Sequence, residues 1–210
     1  MSVAAVDSSR PQLASAYLRL LNQAAGRLLA ATDAEVATAE LFGLIQGELQ
    51  LDVCVNYTPG PDGRLRLSSA FGVDDRFRNQ AAYLELGTAT FGAAALYCEP
   101  HHAIGIQSSE DVRLAFLKHV GLTCYACTPM LAGQRLLGTL GFGRRQGERF
   151  SEDELHFLRT VTHYLAMASE RLRTISREPK PRTWPYSWIR PSRRSGAAKD
   201  SWPAYGFQSE

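Results

Sequence analysis

Apolar positions recur every three to four residues over 12–30, where Leu13, Ala16, Tyr17, Leu20, Leu21, Ala24 and Leu28 share one stripe. Pro11 falls in a first turn that tolerates it, so the pattern predicts a first helix. Thr32 to Glu35 reads as a T-x-x-E capping box, and Ala37, Leu41, Leu44, Ile45 and Leu49 continue at helical spacing, giving a second helix to about Gln50. The period then drops to two in Asp52-Val-Cys-Val-Asn-Tyr57 and again in Arg64-Leu-Arg-Leu-Ser68. Pro59 to Gly63 supplies dense turn chemistry between them, which predicts a β-hairpin.

A polar helical stretch over 74–83, a small-residue stretch over 90–98 and a break at Glu99-Pro-His-His102 follow. Ser108 or Ser109 can cap a short helix through His119, with Gly121 ending it. Residues 122–131 and 135–143 read as a second hairpin around Ala132-Gly-Gln134. Ser151 to Glu154 is a further capping box. Beyond it Leu158, Val161, Leu165, Ala168, Leu172 and Ile175 are spaced 3, 4, 3, 4, 3, a short heptad seam expected to meet a second helix. This seam predicts a homodimer interface, with the first helix of the same chain as the rival partner.

From Glu178 the periodicity stops. Five of the ten prolines and Trp184, Trp188 and Trp202 lie there among arginines and serines. The expected division is one folded domain over 12–176 and a disordered basic tail over 177–210. The net charge of +2 hides this split: residues 171–210 carry nine Lys/Arg against three acids, and the rest carries 14 against 18. Such a tail suits docking to a protein better than to nucleic acid. No apolar run reaches membrane-spanning length, and MSVAAVDSSR lacks the form of a signal peptide, so a cytoplasmic location is expected.

Cys124-Tyr-Ala-Cys127 has the spacing of a redox or zinc pair but falls within a strand, where positions three apart face opposite sides. Buried structural thiols are expected, and no metal site is assigned. No P-loop or H-E-x-x-H pattern is present, and no cofactor is specified.

Five segments in this order resemble the GAF family, and GAF domains of bacterial sensor kinases in particular. They are Asp52-Val-Cys-Val-Asn-Tyr57, Asp62-Gly-Arg-Leu-Arg-Leu67 with Ala70-Phe-Gly72, Tyr125-Ala-Cys-Thr-Pro-Met-Leu131, Arg135-Leu-Leu-Gly-Thr-Leu-Gly-Phe-Gly143 and Arg149-Phe-Ser-Glu-Asp-Glu-Leu155. The resemblance spans roughly 20–175. It implies an α+β fold: a central antiparallel sheet with the first, second and last helices bundled on one face and short helices over a ligand pocket on the other. A sensor or adaptor without catalytic residues is expected, binding a small molecule or a partner protein and signalling through helix packing in a homodimer to a protein such as a sensor kinase; the resemblance itself implies no particular ligand. Near the implied roof and floor lie Phe71, Tyr83, Phe91, Tyr97, Tyr125 and Phe142, with His102 at the mouth beside His101.

The chain departs from the family habit of continuing into a kinase, cyclase or DNA-binding domain, so output is expected to pass through a partner or the tail. It also lacks the bilin-attachment cysteine in Arg113-Leu-Ala-Phe-Leu117 and the N-K-x-F-D signature of cyclic-nucleotide members. Two other classes stay open. One is a cysteine-dependent reductase of the free methionine sulfoxide type, in which Cys54, Cys98 and Cys127 would approach one another. The other is a nucleic-acid-binding regulator acting through the tail.

Overall fold

The computed structural model describes residues 9–175, with side chains from residue 14; the tail expected over 177–210 lies outside them. Helices α1 (Ser9–Ala30) and α2 (Ala34–Ile45) lead into strands β1 (Val53–Pro59) and β2 (Leu65–Phe71). Helix α3 (Asp75–Gln80), strand β3 (Tyr83–Leu84), helix α4 (Ala89–Tyr97) and strand β4 (His101–Ala103) follow. Two 3-10 turns precede α5 (Ala115–His119), and the hairpin β5 (Cys124–Ala132) and β6 (Arg135–Arg144) leads to α6 (Glu152–Ile175). The strands form one antiparallel sheet in the order β3-β2-β1-β6-β5-β4.

Local chemistry explains the boundaries. The second helix is capped by Asp33 rather than Thr32: its carboxylate accepts from the Glu35 and Val36 amides at 2.8 and 3.0 Å. It also stops at Ile45 instead of running to Gln50, whose φ of 50° turns the chain toward β1. The helix expected to reach Tyr83 ends at Gln80, and Tyr83 joins an edge strand. The short helix before the second hairpin is entered through a 3-10 turn capped by Asp111, not by the serines. The capping box at α6 forms as expected: the Ser151 amide donates to Glu154 Oε2 at 2.7 Å and the Glu154 amide to Ser151 Oγ at 3.2 Å.

The sheet has two apolar faces. On one, α1, α2 and α6 bury Leu20, Leu28, Leu41, Ile45 and Phe157 against Cys54, Cys124, Leu140 and Phe142. On the other, α3, α4 and α5 cover Val55, Tyr57, Tyr125 and Cys127. The seam of α6 belongs to the first layer. Leu158, Val161, Leu165, Ala168 and Leu172 are no more than 7% exposed within a single chain, so they are not a surface for a second copy. The rival partner prevails: α1 runs along α6 with Tyr17 on Phe157 at 5.0 Å, and Arg171 donates to the Leu28 and Ala31 carbonyls that end α1. Only Ile175 of the seam is open, at 67% exposure.

Arg144 joins the layers. Its side chain, 9% exposed, pairs with Glu154 of the α6 capping box, donates through Nε to the Leu49 carbonyl at 2.7 Å, and stacks over Phe150 at 4.3 Å. Burial pushes the Glu154 carboxyl up, but the bonds from Arg144 and Ser151 outweigh it and the net shift is downward. A lowered carboxyl stabilises the fold above its unfolded value, near 4.5, and that contribution is lost as pH falls through the folded value.

Arg144→Met leaves Glu154 without its counter-charge and the Leu49 carbonyl without its donor and should cost about 3 to 5 kcal/mol in urea unfolding. Adding Glu154→Gln should recover part of that loss. The stability of Arg144→Met should also fall less steeply than wild type below pH ~4.5. A loss under about 1 kcal/mol would contradict the junction.

Candidate functional site

The face covered by α3, α4 and α5 is built on strand register. Paired residues of antiparallel strands share a face. One row therefore runs His101, Cys127, Gly141, Val55 and Ala70, and a neighbouring row carries Thr139 and Tyr57. At Gly141 an added Cβ would lie 1.5 Å from Tyr125 Oη. The Tyr125 ring crosses β6 at this point and only glycine leaves room for it.

Phe91 of α4 descends onto this floor. Its ring meets Tyr57 at 5.0 Å and Tyr125 at 5.1 Å, both edge-on, and a second aromatic pair, Phe77 and Phe116, packs at 4.3 Å beside it. Tyr57 donates its hydroxyl to the Ala81 carbonyl at 2.9 Å. The hydroxyls of Tyr125 and Thr139 and Nε2 of His101 are buried without a hydrogen-bond partner. Both hydroxyls lie against the Cys127 thiol and lower it as hydrogen bonds would, but the contacts fall short of full hydrogen-bond geometry and burial outweighs them. Burial raises the Cys127 thiol to about 12, raises Tyr57 and Tyr125 strongly, and lowers His101 below its usual 6.5, leaving all four uncharged near neutrality.

Of the aromatic set expected around a pocket, the structure gathers Phe91 and Tyr125 at its centre and Tyr97 at its rim, 6.0 Å from His101. Phe71 and Phe142 lie on the opposite face, Phe71 stacked on Phe42 at 5.7 Å and Phe142 within the helical layer, and are removed from the set. Both sit one position out of phase with the pocket row. Tyr83 is on the edge strand under the Arg64 guanidinium, 53% exposed. His102 points outward while His101 turns in. Sequence reading missed Tyr57, Phe77, Phe116 and Thr139. Alternation carries the signal for Tyr57 in β1 and for Thr139 in β6, two positions from Gly141; choosing Phe142 as the pocket phase of β6 puts Thr139 on the wrong face.

Cys124 and Cys127 face opposite sides of β5, as expected. Cys54 also faces the helical layer, so it does not approach Cys127. Burial raises all four thiols, and Cys98, at the end of α4, is the one that is not fully enclosed. Among the described residues no group of three His, Cys, Asp or Glu could hold a metal ion. An aromatic thiol reagent should therefore modify Cys98 in the native protein and all four cysteines after denaturation. Rapid native modification of Cys127 would show that the floor is open to solvent.

A sheet with a helical layer on one face and a roof of short helices over an aromatic floor on the other defines an α+β binding-module fold. The family model of the GAF domain matches residues 14–170, and the chain belongs to the GAF domain family, whose members are generally sensory or ligand-binding modules. No curated protein matches the sequence.

Among solved structures it is similar to the GAF domain of a phosphoenolpyruvate-protein phosphotransferase from Coxiella burnetii (20% identity, TM-score 0.66, covering 76% of this chain and 96% of that one). The corresponding domain from Acinetobacter gives 17%, 0.63, 75% and 95%. A free methionine-R-sulfoxide reductase from Neisseria meningitidis, solved with its substrate, gives 15%, 0.66, 83% and 98%. At these identities the likeness is one of fold.

Proposed function

We propose that this chain is a non-catalytic, cytoplasmic sensor or adaptor that takes a small molecule on the roofed face of the sheet. Its helical layer reports occupancy to a second copy of the chain and to a signalling protein such as a sensor kinase. The observation that carries this reading is the convergence of unpartnered polar atoms under short, removable segments: Tyr125, Thr139 and His101 each bury one beneath the roof, whereas those of Asn56, Ser69 and Arg171 lie on the face closed by the long helices. The opposite face is closed by long helices tied through Arg144 and Arg171. A ligand acts on such a pair of layers only through different affinities for two arrangements of them.

With the inner seam buried, the second copy is assigned to the outer faces of α1 and α6, where Leu18, Leu29, Met167 and Ile175 are each at least 60% exposed. No helix among the described residues is long and apolar enough to cross a membrane.

Native mass spectrometry of protein purified from its own host should show a dimer carrying a small-molecule adduct, and Leu18→Glu with Met167→Glu should give a monomer that melts within a few degrees of wild type. A bare monomer at tens of micromolar would overturn both parts of the reading.

A cysteine-dependent reductase is the competing class, since one solved neighbour is such an enzyme. Two features favour the non-catalytic reading: Cys54 and Cys127 lie across the sheet from each other, and burial holds both as thiols rather than nucleophilic thiolates. Incubation with free methionine-R-sulfoxide and a dithiol reductant should give no turnover; turnover abolished by Cys127→Ser or Cys98→Ser would replace the sensor reading with the enzymatic one.

A further inference from the structure

We infer that the ligand of this face is a small, uncharged aromatic molecule with a hydroxyl or carbonyl on its edge, and that Phe91 occupies its place in the closed form. This rests on the sensor reading above and specifies the chemistry of its site.

The slot is defined by what fills it. Phe91 is fully buried, edge-on between Tyr57 and Tyr125, so the space suits one aromatic ring. Phenylalanine has no polar edge, and the hydroxyls of Tyr125 and Thr139 beside it are left without partners. A ring bearing a hydroxyl or carbonyl would keep the aromatic contacts and give these groups a hydrogen bond that Phe91 cannot. His101 Nε2 offers a third such group in the row of Cys127.

The charge of the ligand follows from the floor. The ionic side chain buried among the described residues is Arg144, already engaged by Glu154 and Leu49, and the groups of the roofed face are neutral. Glu99 and Arg113 act on His101 at the rim, and Arg78 holds the Ala70 carbonyl at the edge of the floor, but a carboxylate or ammonium at the position of Phe91 would sit among neutral buried groups, so the centre of the site selects against ions.

The plug can move because both ends of α4 hold strained backbone, although Gly92 packs its first turn closely on Glu85 and Gly87. Ala89 at its start and Cys98 at its end hold φ of 54° and 52°, a left-handed conformation that side chains with a Cβ disfavour. Thr88 at the N-cap makes no side-chain capping bond. Swinging α4 outward withdraws Phe91 and relaxes both ends together.

Phenol, benzene and benzoate titrated calorimetrically into the full chain at neutral pH test this. Phe91→Ala should bind phenol at least tenfold more tightly than wild type, because the plug no longer competes, and should bind benzoate no better than wild type does. Thr139→Val in that background should weaken phenol several-fold and leave benzene unchanged. If Phe91→Ala does not melt cooperatively, Phe91→Leu should show the same order with a smaller gain.

A folded Phe91 variant with no gain for phenol, a preference for benzoate, or no effect of Thr139→Val would overturn the assignment. Such a failure with an adduct still present in native spectra leaves the sensor reading standing. Phenol bound without altered amide exchange along α6 sinks the sensor reading and leaves the site intact.

Discussion

The guanidinium of Arg144 must be neutralised where water barely reaches, and much of the architecture is arranged around that demand. Glu154 supplies the charge, Leu49 a carbonyl and Phe150 an aromatic face, so the end of β6, the α2–β1 connection and the start of α6 are fixed to one group. Glu154 is at the same time the reciprocal partner of Ser151 in the α6 capping box. The first turn of α6 is thus anchored to the sheet, and Arg171 near its other end anchors the end of α1. Between these two points the apolar stripe of α6 has no freedom to face outward.

The two faces of the sheet are consequently unlike. The helical layer is made of longer elements with arginine ties, and its buried side chains are mostly aliphatic. The roofed layer is made of short elements, two of whose junctions hold non-glycine residues in the left-handed region, and its centre is aromatic and hydroxylic. Regions that open locally are drawn from the less tied part of a structure. Under the proposed function a ligand would enter at α4 and a signal would leave through α6, because the two layers share β5 and β6 as a common wall.

In the proposed sensor, occupancy of the roofed face would bear on the shared strands through Tyr125 and Gly141. The ring lies across β6 at a position where even a methyl group has no space, so a displaced ring would press on the strand whose far end holds Arg144. Packed interiors transmit such strain because they compress little. This gives the proposed sensor a physical link from floor to helical layer within a single pair of strands.

The chain determined by itself those features that rest on local chemistry. The period of two in β1, β2, β5 and β6, the capping box at Ser151 and the opposite facing of Cys124 and Cys127 follow from backbone geometry and nearest neighbours. The GAF order of elements was legible for the same reason. Tertiary structure decided whatever depends on phase or on distant partners. Strand parity put Thr139 into the site and removed Phe71 and Phe142 from it. The stripe on α6 had two candidate partners of identical pattern, and the Arg144 and Arg171 ties selected the one within the chain. Periodicity tells that a face is buried; only the positions of distant charges and rings tell against what.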